Sequence, residues 1–236
     1  MKKPWAFARR ALCRVRRALS PELRSIRKLE RRWPDTLLQP SPTTGWNRHP
    51  PLFGAVRDAL TDVPEPRLLS FGCSTGEEAF SLSELIPSAR ITAIDINPRS
   101  IKMARRTAIR IGAQRIDFEC AAAPPERGSV EPFDAIFCLS VLRHGRLEAE
   151  ARESCTALLP FERAEALLHR LDDLLNPGGY FVMWGSNFRL SDTDLADRYT
   201  WIPVPGKKPH RGLYYGRDDR RLDVEFTHEF LFRKTS

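Results

Sequence analysis

The chain has 236 residues, 42% of them hydrophobic, and a formal net charge of +8. That length and apolar content suit one domain with appendages. No apolar run approaches the ~20 residues that span a bilayer. The five cysteines form no CxxC pair and no HExxH is present, so the chain reads as a cytosolic protein with reduced thiols and no structural zinc.

The charge is concentrated at the start. Residues 1–33 hold twelve Lys or Arg and two acids, a net +10, which leaves −2 for the remainder. Trp5, Ala8, Leu12, Val15 and Leu19 recur at helical spacing, and arginines interrupt the apolar stretches, against a secretory signal. Ser20-Pro21 then starts a second helix whose apolar face carries Leu23, Ile26, Leu29 and Trp33. Residues 1–33 are therefore a basic amphipathic arm. It either docks on the domain or meets an anionic surface, a membrane headgroup layer or RNA. A peripheral membrane contact would be the addition to a cytoplasmic location.

Residues 34–66 read as a linker rich in Pro, Ser and Thr, then a short helix over "LFGAVRDAL". From 67 to 236 the pattern turns regular. "RLLSF" predicts a buried strand, Gly76–Ile86 a helix, "RITAID" a second strand, and Asn97-Pro98 the start of a helix running to Ile111. "RIDFEC" and "FDAIFCLS" predict strands three and four, Phe161–Leu175 a helix broken by Asn-Pro-Gly-Gly, and "YFVMWGS" strand five. "VEFTHEFLFRK" is the expected last strand. Alternating strands and helices predict an α/β, Rossmann-like fold with a mostly parallel seven-stranded sheet covered on both faces.

The chemistry concentrates in "SFGCSTGEEAF", the turn between the first strand and its helix. Gly72 and Gly76 allow a ligand to approach the backbone, and such a turn lies at the carboxyl edge of the sheet, where these folds bind ligands. Asp95, about twenty residues on at the end of the second strand, is placed for ribose hydroxyls. The spacing is G-x-x-x-G, and Glu77 and Glu78 stand where a pyrophosphate would go. Like charge disfavours a phosphate there. S-adenosylmethionine carries a sulfonium and an ammonium instead, so the turn favours it over NAD or ATP.

"GCSTGEEAFSL" resembles the signature of CheR-type methyltransferases, the S-adenosylmethionine enzymes that esterify glutamates on chemotaxis receptors. The likeness continues through "TTGWNRHPPLF", "FDAIFCLSVL" and "LLNPGGYFVMWGSNF", from Thr44 to Phe188. It implies that Thr44, Arg48, Glu78 and Asp95 meet the cofactor and that Gly72, Ser74 and Gly76 offer backbone. It implies that Ala122 and Ala123 cover the adenine, that Leu139 and Ser140 replace the family's Arg-Asn, and that His144 replaces a tyrosine near the transferred methyl. Arg48 and His144 are the implied catalytic residues.

Asp95 and "RIDFEC" are too close to hold the family's receptor-binding β-subdomain between them, so the methyl acceptor is expected to differ. A protein carboxylate or a small molecule fits. An adaptor that binds the donor without transferring methyl, acting through the arm, and an RNA methyltransferase are the alternatives.

Overall fold

A computed structural model of the chain describes residues 20–34 and 36–235. The first of the two expected arm helices lies outside the described residues. The second is α1 (Pro21–Arg32). Ser20 makes no side-chain cap, but its carbonyl accepts the Arg24 amide at 3.0 Å, and Pro21 opens the helix at the position where its missing N–H costs nothing. Leu29 is buried and Arg24, Arg27, Lys28, Arg31 and Arg32 are exposed, so this half of the arm docks on the domain by its apolar stripe and shows solvent its charge.

The domain then alternates as the pattern predicts. α2 (Pro50–Ala59) leads to β1 (Arg67–Phe71), α3 (Glu77–Leu85), β2 (Arg90–Asp95), α4 (Pro98–Ile111), β3 (Ile116–Cys120) and β4 (Phe133–Leu139). A one-turn helix α5 (Gly145–Ala149) precedes α6 (Phe161–Asp172) and β5 (Leu175–Trp184). β6 (Tyr199–Ile202), β7 (His210–Arg211), β8 (Phe226–Thr227) and β9 (Leu231–Lys234) complete the chain.

The seven-stranded sheet runs β3-β2-β1-β4-β5-β9-β6. β3, β2, β1, β4 and β5 are parallel, and β9 lies antiparallel between β5 and β6. This is the expected Rossmann-like, mostly parallel sheet. Its strands carry near-continuous apolar runs because both faces are covered. Alternate residues serve opposite faces: Leu69, Ile136 and Cys138 pack with α6, while Leu68, Ala135 and Phe137 pack with α2, α3 and α4.

Three boundaries differ from expectation. The helix expected to reach Leu175 stops at Asp172, and β5 begins at Leu175, so Asn176-Pro177-Gly178-Gly179 belong to the strand. Leu175 pairs with Phe133, and the register shifts before Ala135 pairs with Tyr180, an irregularity that Pro and Gly accommodate. The expected last strand divides into β8, which pairs with β7 in a separate two-stranded sheet, and β9. Among the described residues, no helix is long and apolar enough to cross a membrane.

Chain order reverses between β1 and β4, the central pair of the parallel strands. A crevice opens outside the carboxyl ends of strands at such a switch point. The turn after β1 and Asp95 at the end of β2 both reach it.

Candidate functional site

The turn after β1 is fixed to the end of β2. The Gly72 and Cys73 amides both donate to the Ile94 carbonyl, at 2.8 and 2.9 Å. Asp95 completes the attachment: Oδ2 accepts the Ser74 amide at 2.8 Å and Oδ1 the Asn97 amide at 2.7 Å. Burial raises the Asp95 pKa above the usual carboxylate value, and these two amide donors oppose that rise. Gly72 (φ +78°) has a left-handed backbone, and a Cβ there would collide with Val141 Cγ2, so the loop after β4 can lie directly on the turn.

Beside this turn lies a cavity that is partly open to solvent. Its floor is the turn and the strand ends: Phe71, Gly72, Ser74, Ile94, Asp95 and Ile96. Ala121 and Ala122 after β3, with Leu139 at the end of β4 and Ser140 and Val141 after it, form the sides. Its roof is the segment expected to be a linker. Residues 36–43, with Leu29 of α1, close over the strand ends. Ser74 Oγ donates to the Pro42 carbonyl at 2.9 Å, and Ser25 Oγ of α1 donates to Asn97 Oδ1 at 2.8 Å. Asn97 Oδ1 also accepts the Arg99 amide and so caps α4.

Of the residues implied by sequence, Gly72, Ser74, Asp95, Ala122, Leu139 and Ser140 line the cavity together. Thr44 and Ala123 do not; Thr43 and Ala121 stand in the lining instead. Gly76 (φ +93°) faces away: a Cβ there would meet Phe80 and Phe118 at 2.9–3.0 Å, so its role is to let the turn pack on the core.

Glu78 sits behind the turn, where Oε1 accepts Ser70 Oγ–H at 2.7 Å. Burial pushes its pKa up to about 7, against the pull of Ser70 and Arg48. Arg48 ties the roof to the loop after β4: Nη1 donates to the Thr43 carbonyl at 3.2 Å and Nη2 to Ser140 Oγ at 3.3 Å. Ser140 itself has a left-handed backbone (φ +61°) and donates its amide to the Trp184 carbonyl at 2.7 Å. Such a conformation in a non-glycine residue is held only by its surroundings.

His144 does not border the cavity. Its Nδ1 accepts the Arg146 amide at 3.3 Å and caps α5, and its own amide donates to Asn187 Oδ1 at 2.8 Å. Burial and the Arg146 and Arg152 guanidiniums hold its pKa below the usual histidine value. The ring is thus occupied as a cap.

A second group of polar side chains surrounds Trp184 at the end of β5. The His49 and His210 rings stand 4.2 and 4.8 Å from it, centre to centre. Lys207 Nζ lies 4.9 Å and Arg48 Cζ 5.6 Å from its ring centre. His49 is buried, and burial together with Lys207 and Arg48 lowers its pKa to about 3. The pKa of His210 falls to about 4, chiefly through burial.

Chemically, the cavity offers one carboxylate, Asp95, and apolar walls, and Arg48 stands at its edge, bonded to Thr43 and Ser140 of the lining.

Residues 69–181 match the family described as methyltransferase domain. A ubiquinone biosynthesis O-methyltransferase of Methylocella silvestris is 36% identical over 115 residues, 48% of this chain and 44% of that protein. The enzyme of the same description from Bordetella pertussis is 27% identical over 140 residues, 58% of this chain and 55% of that protein. A release factor glutamine methyltransferase of Deinococcus radiodurans is 37% identical over 75 residues, 32% of this chain and 25% of that protein. The aligned part therefore spans less than two thirds of each of these relatives. The matched segment begins in β1 and ends in β5, and it contains the turn, Asp95 and both loops that wall the cavity. Over residues 69–181 the chain is thus similar to methyltransferase domains.

Proposed function

We propose that the chain transfers a methyl group from S-adenosylmethionine to an oxygen atom of its acceptor. The observation that carries this reading is the lining of the cavity: Asp95 at the end of β2, the Gly72–Ser74 backbone beside it and apolar sides for an adenine. In this reading Asp95 accepts the ribose hydroxyls and Ala121, Ala122 and Leu139 enclose the base. Arg48 and Glu78, which attract each other across the far end of the turn, receive the methionine carboxylate and ammonium. α1 and residues 36–43 are the lid of the donor site, and 67–236 is the transferase domain.

The transfer is an in-line displacement: the acceptor oxygen forms the new bond to the methyl carbon as the carbon–sulfur bond breaks, and the electron pair leaves with sulfur. The sulfonium is already activated, so the protein contributes alignment and exclusion of water. The likeness of "GCSTGEE" to the chemoreceptor enzymes supports a carboxylate oxygen. The Methylocella and Bordetella relatives, described as O-methyltransferases, support oxygen without specifying a carboxylate.

The test is calorimetric. The chain should bind S-adenosylhomocysteine and fail to bind NAD. It should then release S-adenosylhomocysteine from S-adenosylmethionine when a cell extract supplies the acceptor. Binding without release is the result expected of a donor-binding adaptor and would refute transfer.

A further inference from the structure

Over much of the domain, exposed arginines meet acids. Arg57, Arg90, Arg115, Arg146, Arg217 and Arg221 each make an ion pair. Two neighbouring helices break this pattern. Arg24, Arg27, Lys28, Arg31 and Arg32 of α1 are exposed, as are Arg99, Lys102, Arg106 and Arg110 of α4. Among the described residues none of these nine makes an ion pair. α4 contains no acid at all, and α1 contains only Glu22 and Glu30.

The two helices adjoin. Ser25 Oγ in the middle of α1 donates to Asn97 Oδ1, the N-cap of α4. At the end of β3, Arg105 of α4 and Arg32 of α1 both act on the Cys120 thiol, lowering a pKa that burial and Asp95 raise. Arg105 reaches β3 directly, where Nε donates to the Phe118 carbonyl at 3.1 Å. The acids beside this face are Asp117 and Glu119 of β3, which border a groove with Arg105 and Ile109. Counting Arg105, ten cations less four acids leave +6 on the face of a domain that is otherwise near neutral.

The outward side of α4 is apolar as well as basic. At 3.6 residues per turn, Arg99, Lys102, Met103, Arg106, Ile109 and Arg110 fall within about a third of its circumference, opposite the buried Ile101 and Ala104. Ile109 is 84% exposed and Met103 43%. One exposed isoleucine is ordinary surface. Two aliphatic side chains set among four unpaired cations are what an interfacial helix offers a lipid layer: the cations meet headgroup phosphates and the aliphatic chains enter below them. RNA would meet the same charge. Single-stranded RNA, however, is held by stacking its bases on aromatic rings, and α4 has none.

We propose that the outward faces of α1 and α4 form one surface that rests on an anionic lipid bilayer, with Met103 and Ile109 inserted among the acyl chains. The inference says where the chain sits and is independent of methyl transfer. It adds α4, outside the basic arm, to the contact, and it selects lipid over RNA.

Cosedimentation of the full chain with phosphatidylcholine–phosphatidylglycerol vesicles tests it. The chain should bind these vesicles, ignore phosphatidylcholine alone, and bind more weakly as salt rises. A variant carrying Arg99→Gln, Lys102→Gln, Arg106→Gln and Arg110→Gln should keep the wild-type melting temperature, since these side chains are exposed and unpaired. It should bind roughly ten-fold more weakly or worse, although residues 1–33 are intact. Should it melt early, Lys102→Gln with Arg106→Gln makes the same comparison. Ile109→Ser should weaken binding at high salt too, where charge is screened. Wild-type affinity in the α4 charge variants would leave the contact to residues 1–33 alone and overturn the inference. Unchanged binding by Ile109→Ser would overturn it as well, because nothing would then be inserted. A wild-type chain that ignores the anionic vesicles, or that binds a single-stranded RNA oligonucleotide in their place, also overturns it.

Discussion

Glu78 should make the protein trade stability for cofactor binding. Burial raises its pKa from 4.5 to about 7 in the folded chain, while the unfolded chain keeps the ordinary value. A raised folded pKa means that folding favours the protonated acid. The stability it gives is complete below about pH 4.5 and is lost as pH rises through 7. A rise from 4.5 to about 7 corresponds to roughly 3 kcal/mol at pH 8.

Glu78→Gln keeps the oxygen that accepts Ser70 Oγ–H and removes the buried charge. In urea unfolding the variant should equal wild type near pH 4.5 and exceed it by up to ~3 kcal/mol at pH 8. The difference between the two proteins cancels every other titrating group. The same variant should bind S-adenosylhomocysteine at least ten times more weakly, because the ligand ammonium loses its carboxylate. Equal stability of the two proteins at pH 8 would refute the argument, as would a stronger ligand affinity in the variant.

Gly76→Val should lower the melting temperature sharply, since its side chain must enter the space of Phe80 and Phe118 from a left-handed backbone; a variant that melts normally and merely loses ligand would show that Gly76 faces the cofactor. Leu29→Asp should undock α1 and open the roof, seen as faster proteolysis between residues 33 and 43 and weaker S-adenosylhomocysteine binding by calorimetry; unchanged affinity would make α1 a mere appendage. His144→Ala should cost about 1 kcal/mol in urea unfolding, the usual value of a helix cap, and a loss of turnover by 10² or more would instead return His144 to the role of base.

The five parallel strands were legible because burial on both faces writes itself as short apolar runs between turn residues. β6 was not: it is four residues long with Thr200 and Trp201 exposed, so no period shows. α5 escaped for the same reason, being one turn that depends on the His144 cap.

In the site, Gly72, Ser74 and Asp95 could be read because strand, turn and acid lie close in sequence. The roof could not. Residues 36–43 have no periodicity, and only Ser74 Oγ on the Pro42 carbonyl and Leu29 beside the cavity reveal that a linker-like stretch is a wall. This also changes the expected arm: Leu29 lines the cavity, while the arginines of residues 21–32 face solvent. His49 and Lys207 are 158 residues apart, and their pairing over Trp184 exists only once β5 and the segment before β7 are in place.

The most direct test of the central claim is the affinity of S-adenosylhomocysteine for wild type and for Asp95→Ala, measured side by side with NAD. Wild type should bind S-adenosylhomocysteine and ignore NAD. Loss of the charge-assisted bonds to the ribose should weaken the variant by roughly 10- to 100-fold, about 1.5–3 kcal/mol. Equal affinity in the two proteins, or binding of NAD by wild type, would contradict the account.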